Sequence, residues 1–172
     1  MCTFVVRNMN HIAHYDSPLG GITLVSDGNA LTGLFFDGQK HFGSTFGPPA
    51  SLPAKPPVFD ETRRWLDLYF SGREPDFTPP LLLQGTMFQQ RVWAELLTIP
   101  YGQAMTYGEL ARRLGVHSAQ AVGGAVGRNP ISIIVPCHRV VGSDGSLTGY
   151  AGGLDRKRAL LQLEQKISFF KR

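Results

Sequence analysis

A cysteine that directly precedes a histidine is the feature of this sequence that most directly suggests chemistry. Cys137 follows Pro136 and precedes His138, within a run at 133–141 that is rich in β-branched residues. A cysteine attacks as its thiolate, and a neighbouring imidazole or guanidinium can lower the thiol pKa and supply a base. An isolated cysteine is more often a buried structural residue. The surrounding pattern instead predicts a nucleophilic thiol held on a rigid support.

The motif Pro-Cys-His-Arg-Val at 136–140 resembles the active-site motif of the O6-alkylguanine-DNA alkyltransferases, also called methylated-DNA–protein-cysteine methyltransferases. The resemblance extends almost continuously from Gly85 to Glu164, and an ordered set of blocks is far more specific than one short motif. The other blocks that resemble this family lie at 85–93, 99–102, 107–111, 121–125, 129–131, 148–153 and 158–164.

The resemblance implies direct-reversal DNA repair without a cofactor. The sulfur of Cys137 would take the alkyl group from O6 of guanine, and also from O4 of thymine, in an in-line displacement that inactivates the protein after one turnover. His138 would act as the base through a bridging water, and Glu164 would fix the tautomer of its imidazole. Arg139 is expected to brace the motif.

Further site residues are implied by the same resemblance. A base must leave the duplex before a buried sulfur can reach it, and Tyr107 would help to rotate the target nucleotide outward. Asn129 would tie the segment before the cysteine to a helix-turn-helix. Tyr150 would line the substrate pocket, where the Cys137 and Val140 carbonyls would bind the guanine amino group and the Ala151 amide would face O6.

One position departs from the family's pattern. Gln120 stands where the family has an arginine that enters the base stack in place of the flipped base. Glutamine is shorter, uncharged and lacks the planar cation that stacks on bases, so we expect base extrusion to be less well supported here. The residues that the resemblance assigns to the minor groove of double-stranded DNA are Ala119, Gln120, Ala121, Gly123 and Arg128.

Positive charge is concentrated in the second half of the chain. Residues 86–172 contain 11 Lys and Arg against 5 Asp and Glu, whereas residues 1–85 contain 6 against 8. A basic half beside a slightly acidic half is consistent with a polyanionic partner. The cations that we expect to contact phosphates are Arg112, Arg113, Arg128 and the cluster at 156–158.

The site residues must be positioned by secondary-structure elements, which we predict to form two domains. These are a structural domain at 1–84 and a DNA-binding, alkyl-accepting domain at 85–172. The first is predicted to be an α/β domain with a small antiparallel sheet, because short apolar segments alternate with turn residues. A proline-rich loop should resist regular structure before an amphipathic helix. The predicted strands lie at 12–15, 22–25 and 31–36, the loop at 48–57 and the helix at 58–70.

The second domain is predicted to be mostly helical. Thr-x-x-Gln at 86–89 and Thr-x-x-Glu at 106–109 are capping boxes that begin two helices. Gly115 can end the second helix in the left-handed conformation, and Ser118 can cap a third. The second and third helices, joined by the short turn at Gly115, are predicted to form a helix-turn-helix.

Composition favours a cytoplasmic protein, and we expect a monomer. Of the two cysteines, Cys2 is terminal and Cys137 lies in the motif, so a disulfide framework is not expected. The sequence contains neither an apolar stretch of about 18 residues nor a signal-peptide pattern, so no membrane association is expected. No metal site is predicted, because Cys2, His11, His14 and His41 lack standard ligand spacing.

Three other functions remain open. A non-catalytic module that binds alkyl lesions would keep the pocket but lack an acceptor cysteine, so Cys137 argues against it. A thiol redox sensor would need a resolving cysteine, for which Cys2 is the only candidate. A cysteine hydrolase would need an oxyanion hole.

Overall fold

The computed structural model describes residues 10–42 and 55–170. Cys2 and most of the proline-rich segment predicted at 48–57 lie outside the described residues. Three antiparallel strands form a sheet in chain order, as the sequence predicts. They are β1 (His11–Ser17), β2 (Gly20–Ser26) and β3 (Leu31–Phe36).

Helix α1 (Pro57–Phe70) covers this sheet, close to the bounds expected from its periodicity. It begins with a proline, whose missing N–H would have no partner in the first turn of a helix. Trp65, Leu66 and Tyr69 are buried along one face. β1 alternates between half-buried and exposed residues, which is the pattern of a strand with one solvated face.

The second half is mostly helical, which confirms the predicted fold class. The helices are α2 (Met87–Leu96), α3 (Tyr107–Leu114), α4 (Ala119–Gly127) and α5 (Leu154–Phe170). Both predicted capping boxes form, with the Thr86 and Thr106 side chains accepting hydrogen bonds from backbone N–H groups three residues on. Gly115 ends α3 with φ 67°, and Ser118 caps α4. α3 and α4 pack against each other across this short turn.

The two halves share one hydrophobic core, and backbone hydrogen bonds cross between them. Leu34 of β3 donates to the Pro130 carbonyl at 2.9 Å, and Ser132 donates back to the Leu34 carbonyl at 2.9 Å. The segment that leads to Cys137 therefore runs beside β3. Strand β4 (Met105–Thr106) pairs in parallel with β5 (Val140–Val141), which follows the cysteine. The nucleophile is thus supported from both sides.

Candidate active site

The segment before the cysteine is closed into a rigid loop by one asparagine. Asn129 donates to the carbonyls of Ile131 and Val135 at 3.2 and 2.8 Å, and its Oδ1 accepts from the Ile131 N–H at 3.0 Å. Ile133 has φ 70°, a conformation that a β-branched residue rarely adopts. A 3₁₀ turn at Cys137–Arg139 follows. Because Asn129 comes just after α4, it links that helix to the cysteine segment.

A buried carboxylate organises the residues next to the cysteine. Glu164 accepts a bond from Nε2 of His138 at 2.7 Å and two bonds from the Arg139 guanidinium at 2.9 Å. The Tyr69 hydroxyl, from α1, donates to the same carboxylate at 2.8 Å. Burial favours the neutral acid, but the hydrogen bonds of His138 and Arg139 and the positive charge of Arg139 outweigh it and lower the pKa of Glu164 to about 2.

The hydrogen bond to Glu164 fixes the tautomer of His138. An ionised carboxylate can only accept, so Nε2 carries the proton and Nδ1 keeps a lone pair. Burial lowers the pKa of His138, so the ring is neutral at physiological pH. Nδ1 is buried and has no hydrogen-bond partner in the described residues. The imidazole can therefore accept a proton at Nδ1, and the ionised carboxylate stabilises the imidazolium that forms.

The Cys137 thiol is only 5% exposed. Burial raises its pKa, and the Asn129 hydrogen bond and the Lys157 charge act in the opposite direction. Burial and the charge of the ionised cysteine also raise the pKa of both Tyr107 and Tyr150. The thiol therefore lies close to the rings of Tyr107 and Tyr150, and Tyr107 is the first residue of α3.

A cavity of about 790 Å³ opens beside these two tyrosines. Seven of the thirteen predicted site residues line it. Ala121 is exposed on the next face of α4. The buried site residues do not line it, namely Asn129, Cys137, His138, Val140 and Glu164. Its walls are α4, the loop at 148–151 and the turn after β3. The lining residues are Lys40, His41, Tyr107, Ala119, Gln120, Gly123, Gly124, Gly127, Arg128, Thr148, Gly149, Tyr150 and Ala151.

Small residues keep the cavity face of α4 open. A Cβ atom on Gly123 would lie 3.7 Å from the Tyr107 ring, whereas one on Gly124 or Gly127 would have no atom within 4 Å. Glycine within a helix costs about 0.5–1 kcal/mol relative to alanine. The contact at Gly123 is an ordinary van der Waals distance, so internal packing requires none of these three glycines, and their lack of a side chain leaves the helix backbone accessible to a ligand.

Two family models match the chain: the ribonuclease-like domain of 6-O-methylguanine DNA methyltransferase at 10–83 and its DNA-binding domain at 87–166. The methylated-DNA–protein-cysteine methyltransferase of Mycobacterium tuberculosis is 48% identical over 91% of this chain and 93% of its own length. The Haemophilus influenzae protein of the same name is 45% identical over 90% and 86%. The chain belongs to the 6-O-methylguanine DNA methyltransferase family. The resemblance seen in the sequence is confirmed.

A solved structure of the same family supports this assignment. The crystal structure of Mycobacterium tuberculosis OGT in complex with DNA superposes with a TM-score of 0.81 at 48% identity. The match covers 91% of this chain and 94% of the other. The small antiparallel sheet and the helical second half are therefore the fold of a DNA-binding relative.

Lys157 is the residue of this methyltransferase site that the sequence analysis misassigned. It was expected to contact phosphates, but its side chain is fully buried and donates to the carbonyls of Val140 at 2.5 Å and Thr148 at 2.9 Å. The helical spacing offered a signal, because Lys157, Leu160 and Glu164 share one face of α5. All three are completely buried.

Other cations that were expected to contact phosphates also form hydrogen bonds or ion pairs within this member of the family. Arg156 donates to the carbonyls of Leu19 and Gly152, and Arg158 lies 3.5 Å from Asp155. Arg113 pairs with Glu95 at 3.3 Å. In the part of the chain that the structure describes, Arg112 and Arg128 form no ion pair. These two remain the expected phosphate contacts.

Two other kinds of site are absent from residues 10–42 and 55–170 of this family member. No helix there is long and apolar enough to cross a bilayer. No group of three or more His, Cys, Asp and Glu side chains there is placed to hold a metal ion.

Proposed function

We propose that this protein transfers the alkyl group from O6 of guanine in double-stranded DNA to Sγ of Cys137 and is inactivated by doing so. The observation that carries the proposal is a buried Cys137 that directly precedes His138, which pairs with Glu164. Tyr107 and Tyr150, whose pKa values the charge of Cys137 raises, line an open cavity that also has basic side chains. This geometry occurs in a family whose members are named for methyl transfer from DNA to protein cysteine. O4-alkylthymine is proposed as a second substrate.

The chemistry follows from the protonation states of the site. The Cys137 proton passes through a bridging water to Nδ1 of His138, and Glu164 stabilises the imidazolium. The sulfur then attacks the alkyl carbon in line, the carbon–O6 bond breaks and its electron pair stays with the guanine. The guanine takes up one proton and the His138 imidazolium releases one, so the protons balance. The carbon–sulfur bond is not hydrolysed, so each protein molecule acts once.

The cavity would receive the extruded base. Tyr107 and Tyr150 would stand beside the purine ring, and the Ala151 amide would face O6. The Val140 carbonyl accepts a hydrogen bond from Lys157, but a carbonyl oxygen has two lone pairs. Its second lone pair is available to the amino group of guanine.

The duplex would lie against α4, with the helix-turn-helix entering the minor groove. The open face of α4 includes Ala119, Gln120 and Gly123 and ends at Arg128; Ala121 lies one face away, where it could approach the sugar-phosphate backbone. We place the division between the structural and the DNA-binding domain at 84/85. The protein is proposed to act as a cytoplasmic monomer on DNA.

The deciding experiment is intact-protein mass spectrometry after incubation with a duplex containing O6-methylguanine, followed by peptide mapping. We expect a gain of one methylene on the peptide that carries Cys137. The same experiment with O4-methylthymine tests the second substrate. An unchanged mass with retained lesion binding would instead identify a recognition module without chemistry.

Lys157→Met is expected to slow alkyl transfer at neutral pH by about tenfold or more. Lys157 is completely buried, and its positive charge favours the ionised form of the Cys137 thiol. Removing that charge raises the thiol pKa, and each pKa unit reduces the thiolate fraction tenfold. The transfer rate should be measured against pH.

Arg158→Met is the matched control for Lys157→Met, because it removes an exposed cation one residue further along α5. We expect its pH profile to match that of the unsubstituted protein. A Lys157→Met profile that also matches would show that the buried ammonium does not influence the thiol.

Gln120→Arg is expected to increase both the affinity for lesion-containing DNA and the transfer rate. Gln120 is exposed at the cavity on α4, and an arginine there could stack in the gap that the extruded base leaves. Binding and single-turnover kinetics on the same duplex measure the two effects. If neither changes, the glutamine does not limit base extrusion.

A further inference from the structure

The helix proposed to face DNA contains no charged side chain. α4 spans Ala119–Gly127 and consists of alanine, valine, glycine and one glutamine. Phosphate neutralisation supplies most of the non-specific affinity of proteins for DNA. The cations that hold the duplex must therefore come from the residues around α4, and Arg128 at its end is one of them.

A second cation that lines the same cavity comes from the N-terminal half. Lys40 lies in the turn that follows β3, where its side chain is exposed. Its backbone N–H donates to the Ala151 carbonyl at 3.0 Å. Lys40 forms no ion pair within the described residues, and no acidic residue lines the cavity. The cavity is thus lined by cations from both halves of the chain.

The turn that carries Lys40 is held firmly against the catalytic segment. Gln39 is only 7% exposed, and its Oε1 accepts from the Phe36 N–H at 2.8 Å and from the Ser132 hydroxyl at 3.4 Å. Ser132 belongs to the loop that leads to Cys137. A cation on a pre-organised turn loses less entropy on binding than one on a free loop.

We propose that Lys40 binds the DNA phosphate next to the extruded nucleotide, so that the N-terminal half takes part in DNA binding. The inference rests on the proposed function, because it needs a duplex on α4 and a base in the cavity. Lys40 lies beside Ala151, whose amide would face O6. We therefore expect Lys40 to contact a phosphate of the damaged nucleotide and not one further along the duplex. The N-terminal half then has a role beyond the structural one expected from the sequence.

The first test is the salt dependence of binding to an O6-methylguanine duplex, measured in a Cys137→Ser background so that no transfer occurs. Each phosphate contact contributes about 0.9 to the slope of log affinity against log salt. Lys40→Gln should reduce the slope by about that amount. Lys55→Gln, which removes an exposed lysine of the same half outside the cavity, should leave it unchanged.

The second test locates the contact. Methylphosphonates, which lack the phosphate charge, are introduced one at a time around the lesion. One position beside the lesion should weaken binding when Lys40 is present and have no effect with Lys40→Gln. Equal losses with both proteins at every position would overturn the inference. If the unsubstituted protein neither binds nor repairs the duplex, it is the proposed function that fails.

Discussion

Cys137→Ser is expected to abolish alkyl transfer while leaving lesion binding intact. Serine has nearly the same shape as cysteine, so the 3₁₀ turn and the Asn129 hydrogen bonds should persist. A hydroxyl, however, ionises far less readily than a thiol, and His138 is a weak base because burial lowers its pKa. Mass spectrometry of the protein and a binding assay on the same O6-methylguanine duplex measure both properties.

Cys2→Ser is the matched control, because Cys2 is the only other cysteine in the chain. It should accept one methylene per molecule, as the unsubstituted protein does. Transfer that persists after Cys137→Ser would place the acceptor elsewhere. Loss of lesion binding together with unfolding would give Cys137 a structural role instead.

Local patterns in the sequence predict most of the elements that position this site. The capping boxes at Thr86 and Thr106 specify where α2 and α3 begin, since a side chain and a backbone N–H three residues apart satisfy each other. Gly115 ends α3 for an equally local reason, because glycine adopts positive φ without a steric penalty. Such signals depend on neighbours in the chain and can be read without the fold.

The partners within the site are not local. Tyr69 contacts Glu164 across 95 residues of sequence, and the turn with Gln39 meets Ser132 across 93. No periodicity connects such positions. Lys157 was misassigned for a different reason: lysine is rarely buried, so its spacing with Leu160 and Glu164 along α5 was not taken to indicate burial. Its two backbone acceptors become neighbours only when α5 packs against β5 and the loop at 148–151.

Glu164→Gln is expected to impair both stability and alkyl transfer. Removing one partner of a buried ion pair costs about 3–5 kcal/mol, and Arg139 would keep its buried charge without a carboxylate. The amide also has one oxygen where the carboxylate has two. Its NH2 group would face either a guanidinium donor or Nε2–H of His138. Chemical denaturation gives the free energy of unfolding, and single-turnover kinetics give the transfer rate.

The double substitution Glu164→Gln/Arg139→Met separates these two effects. It removes the uncompensated cation, so the free energy of unfolding should partly recover. The transfer rate should stay low, because His138 still lacks the carboxylate that fixes its tautomer and stabilises the imidazolium. Recovery of the rate together with stability would reduce Glu164 to a structural residue.

Acid titration checks the same carboxylate independently. The folded-state pKa of Glu164, about 2, lies below its ordinary value of 4.5. Its ionised form therefore stabilises the fold fully above pH 4.5, and this stabilisation is lost as the pH falls toward 2. Glutamine does not titrate, so the stability difference between Glu164→Gln and the unsubstituted protein should narrow across that window. A constant difference would mean that the buried charge is not what stabilises the site.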